Sequence, residues 1–233
     1  MACTWARAMA GRKDVDWSTK NLDELLAQIW QVLARGVVEE GNPLRTPVFG
    51  TANEHEISLR SVVLRQVHGG SGELVCHTDY RSRKVWELRR NPQVRWLFYH
   101  PAEGMQIRAG GTAMVHQHNA VARAAWEGTA RVNRINYCTA LAPGTRLADP
   151  DAGLPVRWKH HPPTLEETEI GWPNFAVIVT TIDHFEWLHL RPSARGILSA
   201  ERSLFWTMAG PVICNCADKM WLLSFSLWRN FRP

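Results

Sequence analysis

Residues 78–92, TDYRSRKVWELRRNP, decide how the chain around them is read. The stretch leaves a strand, turns, and enters a short helix with Ser82 as N-cap and Val85 and Leu88 on its apolar face. Asn91-Pro92 ends that helix, because proline disfavours a helical residue before it. Arg89 and Arg90 suit the C-terminal end, where exposed carbonyls are partly negative. Arg81, Arg83 and Lys84 crowd the opposite, positive end, and three cations there predict an anion. A phosphate would use the orphan N–H groups and the side-chain charges together.

Strand-like segments lie on both sides of this helix. Upstream, Leu22, Leu25, Leu26, Ile29 and Leu33 recur at helical spacing, with Gly36 expected to stop the helix. Strands are expected over residues 47–53, 57–67 and 73–78, the last two joined through HGGSG as a hairpin. Downstream, 94–100 and 105–118 read as strands, with a bulge or sharp bend at Gly110-Gly111. Residues 119–127 and 132–140 look helical, 141–172 read as a long loop, and 174–190 as one or two strands. Many short strands with few helices predict an α+β, mainly β domain on an antiparallel barrel, since parallel strands need helical crossovers. The expected division is an N-terminal extension over 1–20, one domain over 21–197, and an atypical, poorly ordered segment over 198–233.

Composition narrows the function classes. With 45% hydrophobic and 21% charged residues the chain is ordinary for a globular protein, and no run approaches the roughly 18 apolar residues of a membrane span. The net charge of +5 points to anionic partners, a bound phosphate as readily as nucleic acid. The N-terminus lacks the apolar core of a secretory signal, so the cytoplasm is expected, with a mitochondrial transit peptide left open. The five cysteines are scattered without zinc-module spacing. His116 and His118 share a face but have no identifiable third ligand, residues 159–163 (KHHPP) read as loop, and Cys214-x-Cys216 as inert thiols; no metal is expected. The twelve tryptophans belong mostly to core or interface.

Three stretches share one logic: RSVVLR (60–65), CHTDYRSRK (76–84) and GMQIRAGG (104–111). They offer guanidinium forks, an ammonium, hydroxyls and, on one strand face, Gln106 with Arg108. Arg60 and Arg65 cannot share one face of a regular strand, so a twist or bulge is expected between them. In this order and spacing the stretches resemble the pyridoxamine 5'-phosphate oxidase family, over roughly residues 44–195.

That resemblance implies an FMN-binding split β-barrel with flanking helices, a homodimer, and FMN at the subunit interface. It places Arg60, Val62, Leu64 and Arg65 along the flavin. Arg83 and Lys84 would hold the FMN phosphate, with Thr78 and Ser82 assisting and His77 beside them. Gln106 would reach the isoalloxazine edge, with Trp187 near the flavin. For substrate it offers Arg65, Trp126, Arg134 and Arg195, with Arg131 and Arg191 alongside. The chain departs from the family pattern at Arg65, where the oxidase has lysine, at Met105, where it has arginine, and in lacking the C-terminal Arg-x-His.

The implied activity is FMN-dependent oxidation of a small substrate, of the pyridoxine or pyridoxamine phosphate type, by hydride transfer to the flavin. The alternative is a non-catalytic flavin or haem binder on the same barrel. A nucleic-acid binder ranks last, because the cations cluster at one helix start rather than along an aromatic groove.

Overall fold

The computed structural model describes residues 21–53, 56–149, 151–189, 197–200 and 204–206. The expected extension over 1–20, Arg191, Arg195 and the Cys214/Cys216 pair lie outside them. Helix α1 (Leu22–Val38) starts at Asn21, whose side chain accepts from the Asp23 N–H. It lays Leu25, Ile29, Val32 and Leu33 into the main core. Gly36 does not stop this helix, which runs two residues further. Its bare Cα lets the helix approach Leu44, whose Cβ would lie 2.9 Å from an added methyl.

The strands are β1 (Val48–Ala52), β2 (Ile57–Ser61), β3 (Leu64–His68), β4 (Glu73–Asp79), β5 (Gln93–His100), β6 (Met105–His116) and β7 (Phe175–His189), followed by β8 (Ile197–Ala200) and β9 (Leu204–Trp206). Every pairing is antiparallel, in the order β2-β1-β5-β6-β7-β4-β3. The two ends of that order, β2 and β3, are joined through Val62 and Val63 alone. Two residues cannot span an open seven-stranded sheet, so the sheet curls round until its edges meet. This is the expected split barrel.

The single strand expected over 57–67 is thus two. Val62 leaves the ladder, its N–H donating to Pro47 O at 3.0 Å, and the chain turns the barrel corner there. The expected bulge follows at once. The register passes from Leu64↔Cys76 to Gln66↔Val75, so Arg65 is the extra residue.

Helix α2 (Arg83–Arg90) fills the gap between β4 and β5, burying Val85, Glu87 and Leu88. A smaller core lies under α3 (Ala120–Glu127) and the short α4 (Arg131–Arg134), where Trp126, Tyr137, Phe175 and Val177 pack together. The helix expected over 132–140 is only this turn of α4 followed by 3-10 backbone at Ile135–Tyr137. Residues 141–172 are mainly loop with 3-10 turns at Val156–Lys159 and from Glu167. Of the segment 198–233, expected not to join the barrel, β8 pairs with β7 and β9 with β8, so its first residues extend the sheet.

The bend expected at Gly110-Gly111 is a register shift in the β6–β7 ladder. A Cβ on Gly111 would lie 2.1 Å from Thr181 O, a backbone atom with no freedom to retreat. Gly111→Ala is expected to cost about 2–3 kcal/mol of stability by urea denaturation, the range of overpacking. Gly128→Ala, with ordinary contacts and a helical φ of −75°, should be neutral or slightly stabilising.

Candidate functional site

The predicted anion site forms where β4 passes into α2. Thr78 and Ser82, both buried, bring their hydroxyls within 3.2 Å of each other. Lys84 Nζ donates to Thr78 Oγ1 at 3.0 Å and to Ser82 Oγ at 3.3 Å. Ser82 is the backbone N-cap of α2, but its hydroxyl makes no cap bond, because it is turned to this group instead. Among the described residues Lys84 has no carboxylate within hydrogen-bond reach. Burial, and secondarily the charge of Arg60, lowers its pKa. A half-buried ammonium served only by hydroxyls, at a helix start without a side-chain cap, has the donor chemistry of a phosphate cradle.

The neighbouring cations are less free than the sequence suggested. Arg81 is tied to Asp79, with Nη2 to Oδ2 at 2.7 Å, and to Thr139 O at 3.1 Å, so it anchors a loop and is unavailable to the phosphate. Arg83 donates to Glu56 and, through Nε at 3.0 Å, to Glu87. Arg60 donates to Thr51 Oγ1 at 2.5 Å and to Glu87 Oε2 at 3.1 Å. Much of the anion demanded by the crowded helix start is therefore internal, from Asp79, Glu56 and Glu87. Sequence reading missed Glu87, a wholly buried carboxylate that also accepts from Thr51 at 2.5 Å and Ser58 at 2.9 Å. The available signal was its place three residues past Lys84, on the face that Leu88 marks as inward. Burial alone would raise its pKa, but hydrogen bonds from Thr51 and Ser58 and the Arg60 charge outweigh that and lower it.

The Arg65 side chain, carried on its bulge, makes no hydrogen bond or ion pair with the described residues. Beside it His77 stacks edge-on to Phe175 at 4.9 Å, with Nδ1 buried and unpartnered. Burial and the Arg65 charge push the His77 pKa down to about 4. Val62 packs partly against the core and Leu64 lies inside it, so either would line a ligand through its backbone rather than its side chain.

Gln106 lies elsewhere. With Arg108, Leu59, Leu97 and Arg95 it lines a shallow cavity of about 370 Å³ on the outer face of β1, β5 and β6. Register pairing puts Arg60 beside Phe49 on the inner face, and Gln106 beside Tyr99 on the outer one. The three stretches therefore do not form one surface within a single chain. Trp187, at 2% exposure, is part of the main core, so its ring offers no face to a flavin here. Trp126 and Arg134 are also internal: both donate to Glu169, at 2.9 and 2.8 Å, and the Arg134 guanidinium covers the Trp126 ring at 4.6 Å. Arg131 donates to Pro163 O at 2.8 Å. No group of three metal-ligating side chains occurs among the described residues, His116 and His118 included, and no described helix is long and apolar enough to cross a membrane.

Residues 27–117 match the family model described as pyridoxamine 5'-phosphate oxidase, FMN-binding domain. The likeness to that FMN-binding domain is confined to this part of the chain. The pyridoxine/pyridoxamine 5'-phosphate oxidase of Coxiella burnetii is 39% identical over 54 residues, 23% of this chain and only 26% of that protein. The fold is shared with a pyridoxamine 5'-phosphate oxidase-related, FMN-binding protein from Nostoc punctiforme, with TM-score 0.61, 17% identity, and 77% and 93% of the two chains covered. PhzG from Burkholderia lata, solved with tetrahydrophenazine-1-carboxylic acid, aligns with TM-score 0.53 and 18% identity over 76% of this chain and 82% of its own. The matched stretch runs from within α1 through β6, and holds Arg60, Thr78, Ser82, Arg83, Lys84 and Gln106.

His77 gives the domain a testable pH response. Its folded pKa of about 4 lies below the ordinary 6.5, so below pH 6.5 the unfolded chain takes up the proton first. Stability is expected to fall between pH 6.5 and 4, on the order of 2 kcal/mol from this group. His77→Phe should flatten that part of the curve, measured by urea midpoints across the pH range.

Proposed function

We propose that the chain is an FMN-dependent oxidoreductase acting on a small, anionic substrate of the pyridoxine or pyridoxamine phosphate type. The observation that carries this is the Lys84 ammonium, held by Thr78 and Ser82 hydroxyls alone at the start of α2, inside a domain matched to an FMN-binding family. Bound FMN would supply hydride acceptance and onward transfer to oxygen. The chain's own work is binding and orientation. Lys84, Thr78, Ser82 and Arg83 hold the phosphate, Arg60 reaches in from β2, and Gln106 offers an amide to a heteroaromatic edge. Arg65, with no carboxylate of its own, is the cation best placed for a substrate anion, and neutral His77 sits beside it.

The geometry of the two faces supports a homodimer. Arg60 and Lys84 lie on one side of the sheet and Gln106 on the other, so one flavin can meet both sets only if a second copy supplies one of them. The outer face is suited to that contact, with Leu59, Tyr99 and Met114 at 69%, 50% and 63% exposure. A cytoplasmic setting, with no nucleic-acid or membrane partner, completes the reading.

A second reading, a flavin or haem binder without turnover, is favoured by one observation. Trp126 and Arg134, candidates for substrate contacts, are committed to Glu169 and to packing. Flavin fluorescence titration followed by oxygen-consumption assays with pyridoxamine 5'-phosphate separates the two. Wild-type protein is expected to bind FMN and consume oxygen, whereas binding without consumption selects the second reading. Lys84→Ala should weaken FMN about tenfold or more while leaving riboflavin, which lacks the phosphate, unchanged. Equal losses for both ligands would remove Lys84 from the phosphate site.

A further inference from the structure

The guanidinium of Arg83 is divided between two carboxylates of opposite character. Its Nε donates to Glu87 Oε1 at 3.0 Å, and its Nη2 donates to Glu56 Oε2. The Glu87 side chain has no solvent exposure, and Thr51, Ser58 and Arg60 hold it from β1 and β2. The Glu56 side chain, just before β2, is 51% exposed, and among the described residues it pairs with Arg83 alone, on a solvent-facing edge where Arg83 itself is 60% exposed. An exposed pair of this kind is weakly held and readily exchanged, whereas a buried, multiply bonded carboxylate is not.

Resting on the FMN-phosphate reading above, we infer that Arg83 changes partners when a phosphate binds. Glu56 competes with the phosphate for the Nη2 edge and is displaced by it, while Glu87 keeps the Nε edge and aims the guanidinium throughout. A phosphate brings more charge and three acceptor oxygens to a fork that one exposed carboxylate fills only in part. Lys84, one residue on, meets the same anion from the hydroxyl side. Glu87 is a positioning residue for both Arg60 and Arg83. Glu56 is an internal competitor that sets how tightly the phosphate is held.

The two acids therefore have effects of opposite sign. Glu56→Gln is expected to tighten FMN by about threefold, the scale of an exposed ion pair. Glu87→Gln is expected to loosen it about tenfold or more. Riboflavin affinity should stay the same in all variants, because the effect acts through the phosphate. In an Arg83→Met background the Glu56→Gln gain should vanish, which separates competition at the guanidinium from a general loss of negative charge. The measurement is flavin fluorescence quenching at fixed ionic strength, with thermal unfolding to check that each variant folds. A Glu56→Gln variant that binds FMN no more tightly, or keeps its gain without Arg83, overturns the inference while wild-type FMN binding leaves the phosphate reading standing. If Glu87→Gln does not fold, the Glu56 and Arg83 arms still decide. Wild-type protein that binds no FMN overturns both.

Discussion

A carboxylate removed entirely from water must be surrounded by donors, and the Glu87 side chain gathers them from three elements. Thr51 comes from β1, Ser58 and Arg60 from β2, and Arg83 from its own helix one turn back. These contacts fix α2 against the first hairpin, and the start of α2 is where Lys84, Thr78 and Ser82 come together. Charge burial on this scale is tolerated because hydrogen bonds from Thr51, Ser58 and Arg60 and the Arg83 ion pair surround the carboxylate. Glu87 is charged above its lowered pKa. Its contribution is complete above the ordinary value of 4.5 and is lost as pH falls toward the folded value.

The same arrangement changes the meaning of the basic cluster. Arginines in series at a positive helix end would repel one another without counter-charges. Asp79 takes Arg81, and Glu87 and Glu56 take Arg83, so the residual demand for an anion concentrates on Lys84. Arg65 is a second, separate centre of uncompensated charge, whose bulge turns it away from the β3 ladder and towards His77. On the proposed reading, the first of these centres serves the cofactor phosphate and the second a substrate anion.

Local pattern carried much of this into the sequence. Strict alternation marks β5, whose residues switch between exposed and buried along its length, and helical spacing marks α1. Parity alone required a distortion between Arg60 and Arg65, and the chain supplies both a break and a bulge there. The break at Val62-Val63 was hidden because two β-branched apolar residues read as strand interior. Gly36 misled for a related reason: a glycine needed for close approach looks the same in sequence as one that ends a helix. Long-range partners were the least visible. Nothing near Trp126 or Arg134 announces Glu169, and the face that Gln106 occupies relative to Arg60 depends on how β1, β2, β5 and β6 pair.

The two-residue corner at Val62-Val63 also constrains how the barrel assembles. It holds β2 and β3 together from the outset, yet the two belong to opposite ends of the strand order. Hairpins such as β5–β6 can form locally, but β4 must wait for β7, whose Ala176 pairs with Thr78 across α2, two strands, α3, α4 and the long loop. Loop closure over such a span carries a larger entropy cost than closing a local hairpin. Until it happens, β3 and β4 stand as a hairpin with an unpaired edge, the kind of intermediate surface that recruits strands from other chains. Closure removes that edge and completes the wall behind Thr78, so the Thr78, Ser82 and Lys84 cluster depends on the pairing most distant in sequence.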